Sequence, residues 1–134
     1  MTVDELARDY LRRARIRRAV LDLLYEAAAY PDVVREAQEL VELALKGMLR
    51  WAGVDPPKWH DVGEILLAQQ ARLPPELGPD LPVLARISRR LRKERELAFY
   101  GEIDLIPGQA YDEAQARTAI ADADTVLAAL RYFT

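Results

Sequence analysis

The apolar positions of this chain recur at helical spacing nearly throughout, and no segment shows strand alternation between turn signals. The pattern is clearest over Asp32 to Asp61, DVVREAQELVELALKGMLRWAGVDPPKWHD. Val33, Val34, Ala37, Leu40, Val41, Ala44, Leu45 and Met48 fall on one side at helical pitch, with Trp51 at the end. A helix to about Ala52 follows, ended by Gly53 as its C′ residue. Pro31 stops the preceding helix and Asp32 caps the new one. Gly53 to His60 reads as a stiff loop rich in proline.

The same spacing predicts four further helices. The first runs from about Val3 to Tyr30 behind a Thr2-x-x-Glu5 capping pattern, with Val3, Ala7, Tyr10, Ala14, Leu21, Leu24 and Ala28 as its stripe. Asp61-x-x-Glu64 opens a third helix that ends near Leu73, and Pro74 to Pro82 form a rigid connector. A fourth, from about Leu81 to Tyr100, faces inward through Val83, Leu84, Ile87, Leu91 and Ala98. Gly101 to Ala110 is a loop whose Ile103-Asp-Leu-Ile106 looks buried. A fifth helix starts near Tyr111 or Asp112 and keeps helical spacing from Ala116 to Phe133. The expectation is an all-α, up-and-down bundle of about five helices in one domain, 1–134.

Composition narrows the chemistry. A chain of 134 residues with 51% hydrophobic and 31% charged residues suits one globular domain with a real core. The absence of cysteine excludes disulfides, thiolate metal sites and cysteine nucleophiles. A single histidine excludes a multi-histidine metal site within the chain, and no Asp-rich calcium loop is present, so no metal or cofactor is expected. No stretch approaches the roughly 18 apolar residues of a membrane span and no signal-peptide run precedes the first helix, so the default location is the cytoplasm with no membrane partner. A net charge of -3 argues against general affinity for nucleic acid, while leaving room for a local basic patch.

Several residues could carry chemistry. His60 could act as a general base or bind a phosphate, since imidazole titrates near neutral pH and the residue stands at a helix N-terminus. Its packing alternative is to hold the loop together with Trp59. Gln38, Glu42 and Lys46, at i, i+4 and i+8, border the apolar arc and could line a polar groove together with Tyr100; as a helix pair, Glu42 and Lys46 would also be structural. Arg86, Arg89, Arg90, Arg92, Lys93 and Arg95 make a basic outer face that could grip phosphates or simply be solvated. Arg12, Arg13, Arg15, Arg17 and Arg18 form a second cluster on helix one, and some of these must lay their stems along the apolar stripe. If both clusters faced one groove they would make an anion site. Tyr100 and Tyr111 flank the long loop and could stack on a base or anchor the loop.

Gln38-x-x-x-Glu42-x-Ala44-Leu45-Lys46, followed about fifteen positions on by His60-Asp61, resembles the HEPN family of small all-α domains from bacteria and archaea. Gly47 and Val62 stand where that family often has Ala and Leu. Arg95 with Phe99-Tyr100, and Tyr111 with the Ala-rich last helix, are similar to its later elements, so the resemblance covers about residues 3 to 131. It implies a homodimer. It also implies a nucleotide- or nucleic-acid-binding module that partners a separate minimal nucleotidyltransferase, often within a toxin–antitoxin pair. Lys46, His60, Arg86, Arg90, Lys93 and Arg95 would then contact phosphates. Other members are metal-independent endoribonucleases acting through Arg-x(4–6)-His. Here the nearest preceding arginine is Arg50, ten positions before His60, so that motif is not present. Under the ribonuclease alternative His60 would be the acid/base group, with Arg50 or Arg95 stabilising the phosphorane-like charge. A non-catalytic dimeric scaffold is the third alternative.

Overall fold

The computed structural model describes residues 3–58 and 61–133, apart from the side chains of residues 3, 4, 95, 96, 97 and 99. Six α-helices follow one another: α1 (Val3–Glu26), α2 (Tyr30–Trp51), α3 (Val62–Ala68), α4 (Leu81–Phe99), α5 (Pro107–Ala110) and α6 (Glu113–Ala129). Short 3-10 turns occupy Gln70–Arg72, Pro75–Asp80 and Leu130–Tyr132. Among the described residues the one strand-like feature is an isolated bridge between Glu102 and Leu105. The architecture is an all-α, up-and-down bundle. It has six helices where five were expected, because the loop after α4 winds one extra short turn.

α2 is the central helix and packs against α1, α4 and α6. Its apolar arc is buried as the periodicity predicts, and Leu40, Leu45, Met48 and Leu49 are fully enclosed. Each such side chain contributes roughly 1.5–3 kcal/mol relative to exposure, as an upper estimate. α2 ends in a Schellman motif. The amide of Gly53, at φ 79°, donates to the carbonyl of Arg50 at 3.0 Å, and that of Val54 donates to Leu49 at 2.9 Å. Trp51 meets Phe133 edge to face at 5.2 Å and so ties the end of the chain to the central helix.

Three expectations about boundaries need correcting. α1 stops at Glu26, four residues before the position the pattern suggested. The chain reverses at Ala28, which is exposed and holds a left-handed φ of 57°, and Pro31 lies inside the first turn of α2 instead of before it. Proline is accommodated there because the first-turn amides have no intrahelical partner to lose. Asp32 is accordingly not the N-cap but a first-turn acid, placed to interact with the helix dipole. The third helix also ends early, at Ala68, and the proline-rich connector coils into a 3-10 turn that buries Leu77.

The loop after α4 differs most. Ile103 is fully exposed and Ile106 more than half exposed, so the apparent core Ile103–Ile106 is not one. Glu102 and Leu105 exchange backbone hydrogen bonds of 2.9 and 3.0 Å, which throws Ile103 and Asp104 to the tip of a tight turn. Gly101, at φ 73°, permits it: a Cβ there would lie 2.5 Å from the carbonyl oxygen of Leu105. Leu105 alone of that segment packs against the core. Thr2, the supposed first cap, lies outside the described residues. The capping box that is found opens α6: Asp112 accepts from the Gln115 amide at 2.9 Å and the Gln115 side chain accepts from the Asp112 amide at 2.8 Å.

Candidate functional site

The polar edge of α2 is a connected chain. Gln38 Nε2 donates to Glu42 Oε2 at 2.6 Å, and Lys46 Nζ approaches Glu42 Oε1 at 3.3 Å. Gln38 is 3% exposed, and its Oε1 has no hydrogen-bond partner among the described residues. A buried amide oxygen left without a donor costs about 1–3 kcal/mol. Lys46 is held by its own helix through the ion pair with Glu42.

The cations of α4 have a different setting. Asp61 caps α3, accepting from the Gly63 amide at 2.9 Å, and its other carboxylate oxygen faces Arg89 Nε at 3.4 Å. Arg89, Arg92 and Lys93, at i, i+3 and i+4, share one face of α4. With Asp61 they line a cleft of about 250 Å³ between the start of α3 and α4. Arg89 is shared between Asp61 and Glu64, the latter at 3.9 Å. α3 and α4 approach so closely that a Cβ on Gly63 would come within 2.8 Å of the Ala85 Cα. That contact fixes the height of Asp61 against Arg89. Two guanidinium forks and an ammonium around an open cleft suit a phosphate or another oxyanion.

A larger cleft of about 490 Å³ lies between α4 and α6, floored by Val34, Leu91 and Ala119 and edged by Arg90, Glu94, Tyr111 and Asp122. Its charged groups are paired across it. Arg90 bonds Asp122, and the buried Tyr111 hydroxyl donates to Glu94 Oε2 at 2.5 Å. Burial, reinforced by the Glu94 carboxylate, raises the Tyr111 pKa well above the ordinary tyrosine value. Tyr111 thus anchors the start of α6 to α4.

The arginines of α1 do not join those of α4 in one groove. Arg17 pairs with Glu36 of α2 at 2.6 Å, and Arg18 with Asp22 at 2.7 Å and with Asp124 of α6 at 2.6 Å. Arg12 and Arg13 share Asp9, and Arg15 reaches the Leu130 carbonyl at 3.5 Å. α6 reaches both clusters, offering Asp124 to α1 and Asp122 to α4.

Of the residues singled out from sequence, the structure brings Gln38, Glu42 and Lys46 into one chain and sets Lys93 in the smaller cleft. Arg90 is placed in the larger cleft, paired with Asp122. Arg86 is exposed on α4 and Tyr100 is 74% exposed; neither lines either of these two clefts. His60 and the side chain of Arg95 lie outside the described residues. Arg50 stacks over the Tyr10 ring at 5.3 Å and faces Asp55 at 3.9 Å, and it does not line the smaller cleft. Arg89 and Arg92 belong to the basic face singled out from sequence but were not among the residues expected to contact phosphates, and Asp61 was not placed among the site residues at all. The i, i+3, i+4 spacing with Lys93 was the available signal for the first two. For Asp61 the signal was its capping position beside His60. Among the described residues no three histidine, cysteine, aspartate or glutamate side chains are grouped as a metal ion requires, and no helix is long and apolar enough to cross a membrane.

The family model for the HEPN domain matches residues 7–132, and the chain belongs to the HEPN domain family. No curated protein and no solved structure matches it.

Proposed function

We propose that this HEPN-family chain is a non-catalytic phosphate-recognising module that binds a nucleotide or nucleic acid and works as a homodimer beside a separate minimal nucleotidyltransferase. The observation that supports it is the smaller cleft, where Arg89, Arg92 and Lys93 stand around the capping residue Asp61, immediately after His60. Asp61 orients Arg89, and a phosphate entering the cleft would meet the guanidinium and ammonium groups that line it. The pairing of Lys46 with Glu42, and of Arg90 with Asp122, moves the weight of the reading from those two cations to the Asp61 cleft.

Titration of a nucleoside triphosphate and of a short single-stranded RNA, at several salt concentrations, tests this. The double variant Arg89→Ala, Lys93→Ala should lose roughly tenfold to a hundredfold in affinity, with a shallower salt dependence. Unchanged affinity in that variant would remove the cleft from binding. The partner arm is read by co-purification with a nucleotidyltransferase encoded beside this gene. A failure to associate sinks that arm alone.

A second reading, the metal-independent endoribonuclease, is favoured by the sequence position of His60, directly before Asp61, which lines the cationic cleft. An imidazole could exchange the proton while the cations offset the charge developing on the phosphate. RNA cleavage abolished in His60→Ala would establish that reading, and an undiminished His60→Ala protein would end it.

A further inference from the structure

We propose that the outer face of α1 is a self-association surface, pairing antiparallel with the same face of a second copy of this chain. α1 has two apolar stripes. One, with Ala7, Leu11, Ala14 and Leu21, is buried in the bundle. The other lies on the opposite side and faces solvent, with Ile16 58% and Leu23 70% exposed. The seven residues between them, with half-buried Val20 on the same side, match the spacing of a helix–helix seam. Single exposed apolar residues are ordinary on a protein surface, but an aligned isoleucine and leucine two turns apart on a helix already buried on its other side form a patch.

The charges around that stripe select the occupant. Before Ile16 stand Arg12 and Arg13, which share the single carboxylate of Asp9 at 3.2 and 3.8 Å and so leave a surplus positive charge. After Leu23 stands exposed Glu26, in a last turn that holds no basic residue to complement its carbonyls. The face is therefore positive at one end, apolar in the middle and negative at the other. A two-fold axis near Ala19 and Val20 sets Ile16 of each copy against Leu23 of the other. The same operation brings Arg13 toward Glu26 of the other copy, along with the negative end of its helix dipole. An isologous contact needs such a self-complementary patch. A parallel pairing would oppose arginine to arginine. One helix pair is small against the roughly 1,200–2,000 Å² of stable interfaces, so the association should be reversible and concentration-dependent.

This inference shares the homodimer with the function proposed above and gives it a surface, but it uses no residue of the α4 cleft. Sedimentation over a wide concentration range tests it. The unaltered protein should show a monomer–dimer equilibrium, and Leu23→Glu should raise the dissociation constant by at least about tenfold. Arg13→Glu and Glu26→Arg should each weaken the dimer, and the two together should restore it. Both side chains are exposed, so helicity and melting should remain intact in every variant. A protein that stays monomeric at all concentrations, or a dimer indifferent to Leu23→Glu, overturns the inference. So does a double charge exchange that fails to rescue. Anion binding is measured on the same samples: a monomer that binds anions counts against this surface and the homodimer but not the cleft, a dimer indifferent to Leu23→Glu counts against this surface alone, and a dimer that does not bind anions counts against the cleft only.

Discussion

The arginines of α1 and the cations of α4 look alike along the chain, and the fold treats them differently. On α1, Arg17 and Arg18 are drawn into pairs with Glu36, Asp22 and Asp124, and these bonds fasten α1 to α2 and α6. On α4, Arg89, Arg92 and Lys93 face a cleft with one carboxylate among its lining residues, and that carboxylate is already engaged in capping α3. The difference does not reside in the arginines. It comes from where the neighbouring helices deliver acids. Where a base meets an acid of another helix, as Arg17 and Arg18 do, it becomes a rivet. Where bases line the rim of a cleft, they set up a field that an external anion can use. The placement also explains how a chain of net charge -3 carries a local basic cleft.

Three substitutions probe this contrast, in descending order of effect. Gly63→Ala should act on the α4 side. Its Cβ would meet the Ala85 Cα, a backbone atom that cannot step aside, so α3 must shift and carry Asp61 with it. Overpacking of this kind costs about 1–3 kcal/mol, and both the chemical denaturation midpoint and anion affinity should fall. An unchanged midpoint would show that α3 rides freely on α4. Arg17→Ala should act on the α1 side, leaving the mostly buried Glu36 without its partner and costing about 1 kcal/mol, with anion affinity untouched. Loss of anion binding in this variant would erase the distinction between the clusters.

The third probe concerns an acid of α4 that holds a tyrosine instead of an arginine. The Tyr111 pKa is raised in the folded protein, so the folded state keeps the phenolic proton more tightly than the unfolded chain does. That contribution is complete below the unfolded tyrosine value near 10 and declines as pH rises through the folded value. Stability of the native protein should therefore fall on the alkaline side of about pH 10. Tyr111→Phe should flatten this slope while costing about 1 kcal/mol at neutral pH through the lost bond to Glu94. An alkaline slope of equal steepness in Tyr111→Phe would assign the titration elsewhere.

Much of the bundle was legible because its signals are local. The arc of α2 shows itself through spacing alone, and Gly53 stands where a left-handed residue must end the helix. Misreadings came where one residue type serves two purposes. Pro31 can end a helix or occupy the first turn of the next, and only the left-handed turn at Ala28 distinguishes the two. Ile103 and Ile106 have the composition of a core, yet the two-residue turn between Glu102 and Leu105 carries Ile103 outward. The candidate site was half legible. The polar edge of α2 and the basic face of α4 were visible as patterns, whereas the choice of Arg89, Arg92 and Lys93 from six similar cations depended on where Asp61 came to rest.

The sequence by itself determined the helices, the central place of α2, and the family signal in Gln38, Glu42, Lys46 and His60-Asp61. Periodicity, caps and glycine stops act over a few residues and need no partner to be read. Only the tertiary structure decided which charges are used up. A base and an acid 106 positions apart, Arg18 and Asp124, become neighbours only when the bundle closes, and the same closure sets Asp61 against Arg89 in the α4 cleft.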